Sequence, residues 1–348
     1  MFLRNCWYAA AWNHEIGREP LARTLLNEPI VLYRRGDGAV AALADRCCHR
    51  GLPLSMGRVE GDNLRCGYHG LAFDPDGGCI DVPGQSTIPP DARVASYPVV
   101  EKYQWVWIWM GDPTLADEAL LPDWWRMDHP HWKVVKGGDP FHVACNYELI
   151  NDNLLDLSHL AFVHLGSIGT GAITDFPIGV EREDGMVRMT RWILESPPPP
   201  LYRDFGGFTG NVDRWQIAES HVPSYHTVHA GCAVAGTGAK DGDRSQCIEF
   251  FNFNTMTPET ETTTHYFYAH ARSFALDDPV VDQTYRVDFR AVFNEDVDIL
   301  GAQQENLDRF AGRAWIDINV DGPGLMFRRM VAERMAAEAA ARRKSEAE

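Results

Sequence analysis

The chain has 348 residues, 45% of them hydrophobic, and a formal net charge of −17. A chain of this length can bury a substantial core and favours two domains over one. The acidic charge argues against a nucleic-acid binder, because basic surfaces are needed to displace counterions from phosphate. It also means that an anionic substrate would need a local cation or hydrogen-bond donors.

The sequence shows no signal for a membrane or for secretion. No apolar run approaches the roughly 20 residues that span a bilayer, and the N-terminal stretch MFLRNCWYAAAWNHEIG lacks a convincing cleavage site. The eight cysteines are irregularly spaced, unlike the dense disulfide framework of a small secreted domain. We therefore expect a cytoplasmic protein in which most cysteines are reduced and buried.

The first third of the chain is rich in strand and turn signals. Residues 29–43, PIVLYRRGDGAVAAL, indicate a hairpin around Gly36–Gly38, and residues 71–84, LAFDPDGGCIDVPG, indicate another around Asp76–Gly78. The strand-like segment QWVWIWMG closes this region. We interpret it as a small all-β module.

The rest of the chain changes pattern after the Pro/Asp-rich segment 112–132, which is typical of an inter-domain crossing. A helix is predicted over 148–164 and another over 280–310. Between them lie the strand-like segments MVRMTRWIL, QCIEFFNFNTMT and TTTHYFYAHAR. Strands flanked by helices indicate an α+β domain with an antiparallel sheet. We expect domains at 1–118 and 119–340, followed by a frayed terminal tail at 341–348.

Four residues in two loops of the first module have the spacing of a metal site. A Cys-x-His pair, sixteen residues and a Cys-x2-His pair follow one another, and the four candidates are Cys47, His49, Cys66 and His69. A closed tetrahedral zinc site is one interpretation. Zinc fingers usually group their cysteines before their histidines, however, whereas each loop here supplies one of each in the same order. This symmetry suits a Rieske [2Fe-2S] cluster, in which one iron takes both thiolates and the other both imidazoles.

Two segments carry a resemblance to a known family. The loops CCHRG and CGYHG are similar to those of a Rieske domain, and NDNLLDLSHLAFVH at 151–164 resembles the iron-binding helix of the Rieske non-haem iron oxygenases. On a helix, Asp152, Asp156 and His159 share one face. His164 is rotated by about 140° from His159. Both histidines can therefore reach one ion only if the helix breaks or bulges between them.

The resemblance implies a mononuclear Fe(II) site as well as the cluster. Two imidazoles and one carboxylate form the facial triad of non-haem iron oxygenases, and we assign the imidazoles to His159 and His164. The carboxylate in this family lies on a late helix, which the segment VFNEDVDILGAQQENL resembles. Matching the acidic pair assigns Asp296 as the ligand, with Glu295 as its nearest competitor.

The resemblance gives Asp156 a different role and implies an assembly. In the family this position connects a Rieske histidine of one subunit with an iron-ligating histidine of its neighbour. Here that implies a path from His69 across a subunit contact to Asp156 and His159. Such a path works only in a ring of subunits, and the resemblance implies a head-to-tail cyclic homotrimer.

The resemblance also implies the fold and the activity. It predicts an α+β protein, with an N-terminal all-β Rieske domain and a helix-grip catalytic domain that has an antiparallel sheet and flanking helices. The segments GLAF, VPGQ, DRWQI and NVDGPG resemble the vanillate O-demethylase and toluenesulfonate methyl-monooxygenase group. We expect the terminal oxygenase component of a Rieske monooxygenase, which uses O2 to oxidise a methoxy or methyl group of an aromatic acid.

Two alternatives and one partner complete the predictions. The alternatives are an aromatic-ring hydroxylase of the same family and a non-enzymatic iron-sulfur or zinc protein. The glycine-rich stretches at 166–172 and 236–238 do not open a βαβ unit. We therefore expect a separate NAD(P)H-dependent flavin and iron-sulfur reductase to supply the electrons. Four weaker candidates for the substrate pocket are Asn153, Trp215, Gln216 and His265.

Overall fold

The computed structural model of the chain describes residues 1–164, 167–168 and 176–345. The chain divides into two compact units. The first unit is Met1–Leu121 with the short return Thr257–Glu261, and the second is Pro122–Met256 with Thr262–Glu348. Most of the glycine-rich stretch at 166–172 and the last three residues of the predicted tail lie outside the described residues.

The first unit is built from three small antiparallel sheets. Their strand orders are β1-β10-β9, β2-β3-β4 and β5-β6-β7-β8. The strands are β1 Trp7–Trp12, β2 Leu21–Leu25, β3 Glu28–Arg34, β4 Val40–Ala44, β5 Arg58–Glu60, β6 Asn63–Arg65, β7 Ala72–Phe73, β8 Cys79–Asp81, β9 Val99–Lys102 and β10 Trp105–Trp109. The predicted all-β module is confirmed.

Both predicted hairpins are present in this unit. In the first, Arg34 pairs with Val40, and Gly38 in the turn has a φ of 91°. In the second, Gly77 has a φ of 82°, and a Cβ added there would lie 2.1 Å from the carbonyl oxygen of Val94. Only glycine satisfies both requirements at this position.

Tryptophan side chains fill the core of the β1-β10-β9 sheet. Every residue of β1 is buried. The ring of Trp12 stacks on Trp105 with a centroid separation of 4.5 Å, and Trp7 meets Trp109 edge to face at 5.4 Å. Aromatic packing of this kind stabilises a sheet beyond the area it buries.

The described residues of the second unit form an eight-stranded antiparallel sheet with helices. The strand order is β11-β18-β17-β16-β15-β14-β13, and β12 also pairs with β18. The strands are β11 Lys133–Lys136, β12 Phe141–Val143, β13 Gly179–Glu183, β14 Met186–Ser196, β15 Val212–His221, β16 Tyr225–Val234, β17 Cys247–Pro258 and β18 Thr264–Arg272. The helices are α1 Tyr147–Leu154, α2 Pro200–Gly206, α3 Pro279–Arg309 and α4 Gly322–Ser345. The predicted α+β fold is confirmed.

The helix predicted over 148–164 is about half as long as expected. α1 ends at Leu154, and a separate 3-10 turn covers His159–Ala161. The chain turns at Asp156, whose Oδ1 accepts hydrogen bonds from the backbone N–H of Ser158 at 2.7 Å and from its hydroxyl at 2.5 Å. Short polar side chains compete with the helical backbone in this way and so end helices. Asp156 and His159 therefore do not share a helical face with Asp152.

Two further features follow from the helices and loops. The glycine-rich stretch at 236–238 lies between β16 and β17, which pair antiparallel, so it opens no βαβ unit. None of the helices in the described part of the chain is long and apolar enough to cross a membrane.

Candidate metal centres

The four Cys and His candidates of the first unit lie in two loops with the same construction. One loop connects β4 to β5 and is closed by the N–H of Cys47, which donates to Leu52 O at 2.9 Å. The other connects β6 to β7 and is closed by the N–H of Cys66, which donates to Leu71 O at 2.8 Å. Backbone bonds thus fix both cysteines.

Glycines allow the two loops to approach each other closely. A Cβ added at Gly67 would lie 2.7 Å from the carbonyl oxygen of Met56, and Gly70 has a φ of 76°. A residue with a side chain would push the loops apart or strain the backbone. The small residues next to Cys66 and His69 therefore determine the distance between the two pairs.

The thiols and the imidazoles occupy different layers of this site. Cys47 and Cys66 are each 2% exposed and pack into an apolar cluster with residues such as Leu54. His49 and His69 are exposed, with ring centroids 4.5 Å apart. Burial raises the pKa of the Cys47 thiol to about 11, and the neighbouring Cys66 adds to that rise. Two buried thiols and two exposed imidazoles fit a [2Fe-2S] cluster, which would be held by both cysteines on one iron and both histidines on the other.

The second candidate site joins residues that are far apart in sequence. His159, His164 and Asp296 each offer one atom, and these atoms lie within 4.8 Å of one another. Asp296 Oδ1 lies 3.6 Å from His159 Nε2 and 3.2 Å from His164 Nε2. Both separations are below ~4.2 Å, twice a typical metal–nitrogen bond. Two imidazoles and one carboxylate fit Fe(II) and leave coordination positions open.

The turn after α1 is what brings both histidines to Asp296. His159 follows the Asp156 turn, and its Nδ1 contacts the backbone carbonyl of Asp156 rather than the carboxylate. His164 follows the 3-10 turn and is almost fully buried. Because the helix ends five residues before His159, the 140° rotation expected from a continuous helix does not apply. The predicted break between the two histidines is present, since the 3-10 turn ends at Ala161, and the chain also leaves the helix before His159.

Two neighbouring side chains support this second site, and the sequence analysis gave neither of them this role. Glu295 Oε2 lies 2.6 Å from His164 Nδ1, so His164 has one carboxylate at each ring nitrogen. Asn153 Nδ2 donates to Asp296 Oδ1 at 3.1 Å. Adjacent residues on a helix point about 100° apart. Glu295 and Asp296 therefore could not both face the same ring nitrogen of His164. The adjacency of the two acidic residues in the sequence could have indicated that they have different roles.

The surroundings shift the pKa values of His159 and His164 in opposite directions. Burial lowers the pKa of His159, and the charge of Asp296 opposes that shift only in part. Burial also disfavours the charge on His164, but hydrogen bonds and charges from Asp296 and Glu295 prevail and raise its pKa. Acidic groups therefore attract positive charge to this site, as a cation site requires.

A cavity in the second unit opens beside these three residues. Its lining includes His159, His164 and Asp296 together with Asn153 and Gln216, two of the weaker candidates. The lining is otherwise mainly apolar, with Phe250, Phe289, Phe293, Leu157, Leu160 and Val292 among its members. A largely apolar cavity with few polar groups is typical of a site for a small aromatic molecule.

The other two candidates, and Asp152, lie elsewhere. Trp215 is absent from the cavity lining, and its indole N–H donates to His229 Nε2 at 3.1 Å. His265 is also absent from the lining, and its ring lies 5.9 Å from that of His142. Asp152 accepts from Arg328 on α4 at 2.8 Å.

Comparisons with known proteins agree with this arrangement. Residues 6–98 match the Rieske [2Fe-2S] domain, and residues 143–337 match the vanillate O-demethylase oxygenase C-terminal domain. The chain is 43% identical to the toluene-4-sulfonate monooxygenase system iron-sulfur subunit of Comamonas testosteroni, over 96% of this chain and 97% of that protein. It is 38% identical to the vanillate O-demethylase oxygenase subunit of Pseudomonas sp. strain HR199, over 97% of this chain and 96% of that protein.

A solved structure extends the likeness to the whole fold. The crystal structure of dicamba monooxygenase with non-haem iron and dicamba has a TM-score of 0.84 and 34% sequence identity. The match covers 98% of this chain and 99% of that one. Both units therefore have counterparts in a protein that binds iron.

Proposed function

The chain belongs to the Rieske oxygenases with a vanillate O-demethylase C-terminal domain, and from this premise we propose that it oxidises a methoxy or methyl group of an aromatic acid. It is the oxygenase component of a multi-component system, as its relatives are. The zinc alternative is set aside because residues 6–98 match the Rieske [2Fe-2S] domain. The observation that carries the substrate proposal is the apolar cavity at the His159–His164–Asp296 cluster.

The proposal assigns one cofactor to each region of the chain. Domain 1–118 carries the Rieske cluster, held by Cys47, His49, Cys66 and His69. Domain 119–340 carries mononuclear Fe(II), held by His159, His164 and Asp296, followed by a tail at 341–348. Asp296 is preferred over Glu295 because its carboxylate lies near Nε2 of both histidines, whereas Glu295 contacts the outer Nδ1 of His164.

The side chains around the iron position have separate tasks. When bound, the cluster supplies single electrons and the iron activates dioxygen. Glu295 fixes the ring of His164 and the tautomer that leaves Nε2 free for a metal. Asn153 orients the carboxylate of Asp296 through its hydrogen bond to Oδ1. The apolar lining excludes water, which limits side reactions at the reacting carbon.

Electrons are proposed to cross between subunits at Asp156. This residue is half-buried and lines an open groove with His159. The rim of the groove carries exposed apolar side chains, with Trp315 53% and Ile316 88% exposed. Large exposed apolar side chains mark protein contacts, and a cyclic homotrimer would place His69 of the neighbouring copy there. A separate reductase that uses NAD(P)H supplies the electrons.

Reconstitution tests the activity. The purified chain, loaded with iron and mixed with NADH alone, should form no product from vanillate or toluene-4-sulfonate. With a reductase of the same system, it should form formaldehyde from the methoxy substrate or a benzylic alcohol from the methyl substrate. Hydroxylation of the ring in place of either product would favour the ring-hydroxylase alternative. Sustained turnover without a reductase would contradict the proposed partner.

Mixed assemblies test the path through Asp156. Asp156→Asn should keep both metals, because the side chain ligates neither, yet slow the reoxidation of a pre-reduced cluster by substrate and O2. Cys66→Ser and His159→Ala chains, each inactive alone, should regain partial activity when assembled together. Verified mixed trimers without any activity would show that each chain works alone.

A further inference from the structure

Two arginines are buried on one face of the catalytic sheet. Arg191 on β14 is 3% exposed and Arg214 on β15 is 2% exposed. Arg191 pairs in register with Gln216, which lies two residues after Arg214 on the same strand. Because side chains alternate between the faces of a strand, Arg214 and Gln216 point to the same side. Both line the cavity that also holds His159, His164 and Asp296.

The hydrogen-bonding capacity of Arg214 is mostly unused. Its Nη2 donates to the carbonyl oxygen of Ile168 at 3.1 Å. Its Nε and Nη1 are buried and have no hydrogen-bond partner in the described part of the chain. The same holds for the carbonyl oxygens of Gln216 and Asn252, whose side chains line the cavity too. Buried polar groups normally find partners, so this wall of the cavity is polar and unsatisfied.

The charge of Arg214 is unsatisfied as well. Among the residues that the structure describes, no carboxylate forms an ion pair with it, and its guanidinium instead lies 4.7 Å from the centroid of the Tyr202 ring. Arg191 lies close enough for like-charge repulsion: burial lowers the pKa of Arg191 to about 10, and the charge of Arg214 adds to that shift. A buried cation without a counter-charge is costly. An anionic ligand would remove that cost.

We propose that Arg214 binds the acid group of the substrate, a carboxylate or a sulfonate, and so holds the methoxy or methyl carbon toward the His159–His164–Asp296 end of the cavity. Gln216 and Asn252 complete the polar wall, since an amide can turn to present either its oxygen or its NH2 group. The inference rests on the proposed function and names its substrate class as anionic aromatics. It also explains how a chain with a net charge of −17 binds an anion, because the attraction is local and buried.

Binding measurements with paired probes test the subsite without turnover. The iron-loaded protein without reductase is titrated by calorimetry with toluene-4-sulfonate and vanillate, and with the neutral partners toluene-4-sulfonamide and vanillyl alcohol. At least one anion should bind on the order of 10-fold or more tightly than its neutral partner. Equal affinity within both pairs, or no binding of either anion, would overturn the proposal.

Substitutions identify the residue responsible. Arg214→Gln should weaken binding of the anion on the order of 10- to 100-fold and leave the neutral partner within about threefold. Arg188→Gln is the matched control, because it also removes one arginine charge from the sheet, on β14, but from a partly exposed pair with Glu219 at 2.8 Å that lies outside the cavity. Unchanged anion binding in a folded Arg214→Gln protein would overturn the assignment. Arg214→Lys keeps the charge and should bind with intermediate affinity, which decides the matter if the glutamine variant does not fold.

Steady-state kinetics separate this inference from the proposed function. With reductase present, Arg214→Gln should raise KM for the acid substrate more than it lowers kcat, and the visible spectrum of the cluster should stay unchanged. Tight, Arg214-dependent binding of an anion that gives no oxidised product would contradict the proposed function and leave the subsite standing. Equal oxidation of the acid and its neutral partner would contradict the subsite alone.

Discussion

The two metal regions of the molecule are assembled in different ways. All four candidates of the first lie within residues 47–70, in two loops closed by their own backbone bonds. The second joins His159 and His164 to Asp296 on α3, so its geometry depends on the packing of distant elements. Their exposure differs too. The imidazoles of the first are at the surface, whereas His164 and Asp296 of the second are 2% and 6% exposed.

This difference matches the tasks of the two regions. An electron carrier must come close to its partners, so the outer ligands of its cluster need to be near the surface. Oxygen chemistry needs the opposite, because water in the site would compete with substrate and allow side reactions. In the second site, Glu295 and Asn153 hold the candidate ligands His164 and Asp296 by hydrogen bonds. In the first, backbone hydrogen bonds, glycine turns and an apolar base hold the two loops in place.

The largest expected effect comes from a substitution in the first region. Cys66→Ser removes a buried thiol that is a proposed cluster ligand, so the cluster, its visible absorbance and all turnover should be lost. Cys48→Ser is the matched control, because Cys48 is adjacent to Cys47 but exposed and should keep the spectrum. Retention of cluster absorbance and acid-labile sulfide by Cys66→Ser would contradict the ligand assignment.

The second site should lose its iron without any loss of the cluster from the first. Asp296→Ala should leave about two irons per chain instead of about three, with the Rieske spectrum intact and turnover reduced to background. The measurement is iron content together with the absorbance of the cluster. Loss of both metals would show that the two regions depend on each other for folding. Normal iron and activity in Asp296→Ala, together with their loss in Glu295→Ala, would reverse the assignment within the acidic pair.

The supporting hydrogen bonds should have a smaller effect. Glu295→Gln keeps the shape of the side chain but removes the charge next to His164 Nδ1, so iron affinity should fall on the order of 10- to 100-fold. Competition with a chelator measures this change. The Rieske absorbance should not alter. Iron affinity equal to that of the wild type would show that Glu295 does not hold His164 in place.

Buried histidines distinguish the second region in its response to pH. Burial lowers the pKa of both His226 and His270 to about 3, with the charge of Arg272 adding to the shift of His270. Both are neutral in the folded and unfolded chain above pH ~6.5. Below that value the two histidines bind protons in the unfolded chain but stay neutral in the folded chain. Their contribution to stability therefore falls until the pH nears 3. At pH 5 each histidine should lower the free energy of unfolding by about 2 kcal/mol.

A single variant isolates this contribution. Neither ring nitrogen of His270 has a hydrogen-bond partner in the described residues, and its ring lies among Tyr285, Phe289 and Phe293. His270→Phe should therefore fold, and its melting temperature should fall less than that of the wild type between pH 7 and pH 5. A parallel decline in both proteins would mean that His270 takes up its proton without unfolding.

Local patterns were sufficient for the two hairpins of the first region and for three of the eight described strands of the second. Turn glycines such as Gly38 and Gly77 marked both hairpins, and strand-like composition marked β14, β17 and β18. Their information is local because a turn requires a particular backbone angle at a particular residue. The spacing of Cys47, His49, Cys66 and His69 was likewise enough to favour a dinuclear cluster.

The structure of the second region could be predicted only in part from such local patterns. The helix predicted over 148–164 was wrong beyond Leu154, because the helical periodicity of Asp152, Asp156 and His159 took no account of the Asp156–Ser158 turn that competes with the helix. Trp215 and Gln216 were both pocket candidates, but adjacent residues on a strand point to opposite faces, and only the position of β15 in the sheet decides which faces the cavity.

By itself the sequence was sufficient to predict the residue types of both candidate centres, the α+β class and the family. Motifs and periodicities depend only on residues that are close together in the sequence. Only the tertiary structure decided which carboxylate lies beside both His159 and His164, that Glu295 contacts the other nitrogen of His164, and that Arg214, in the same cavity, pairs with no carboxylate of the described residues. The physical reason is distance along the chain. Asp296 and His164 meet only because α3 packs where the chain turns after α1, and burial and pairing are properties of that packing.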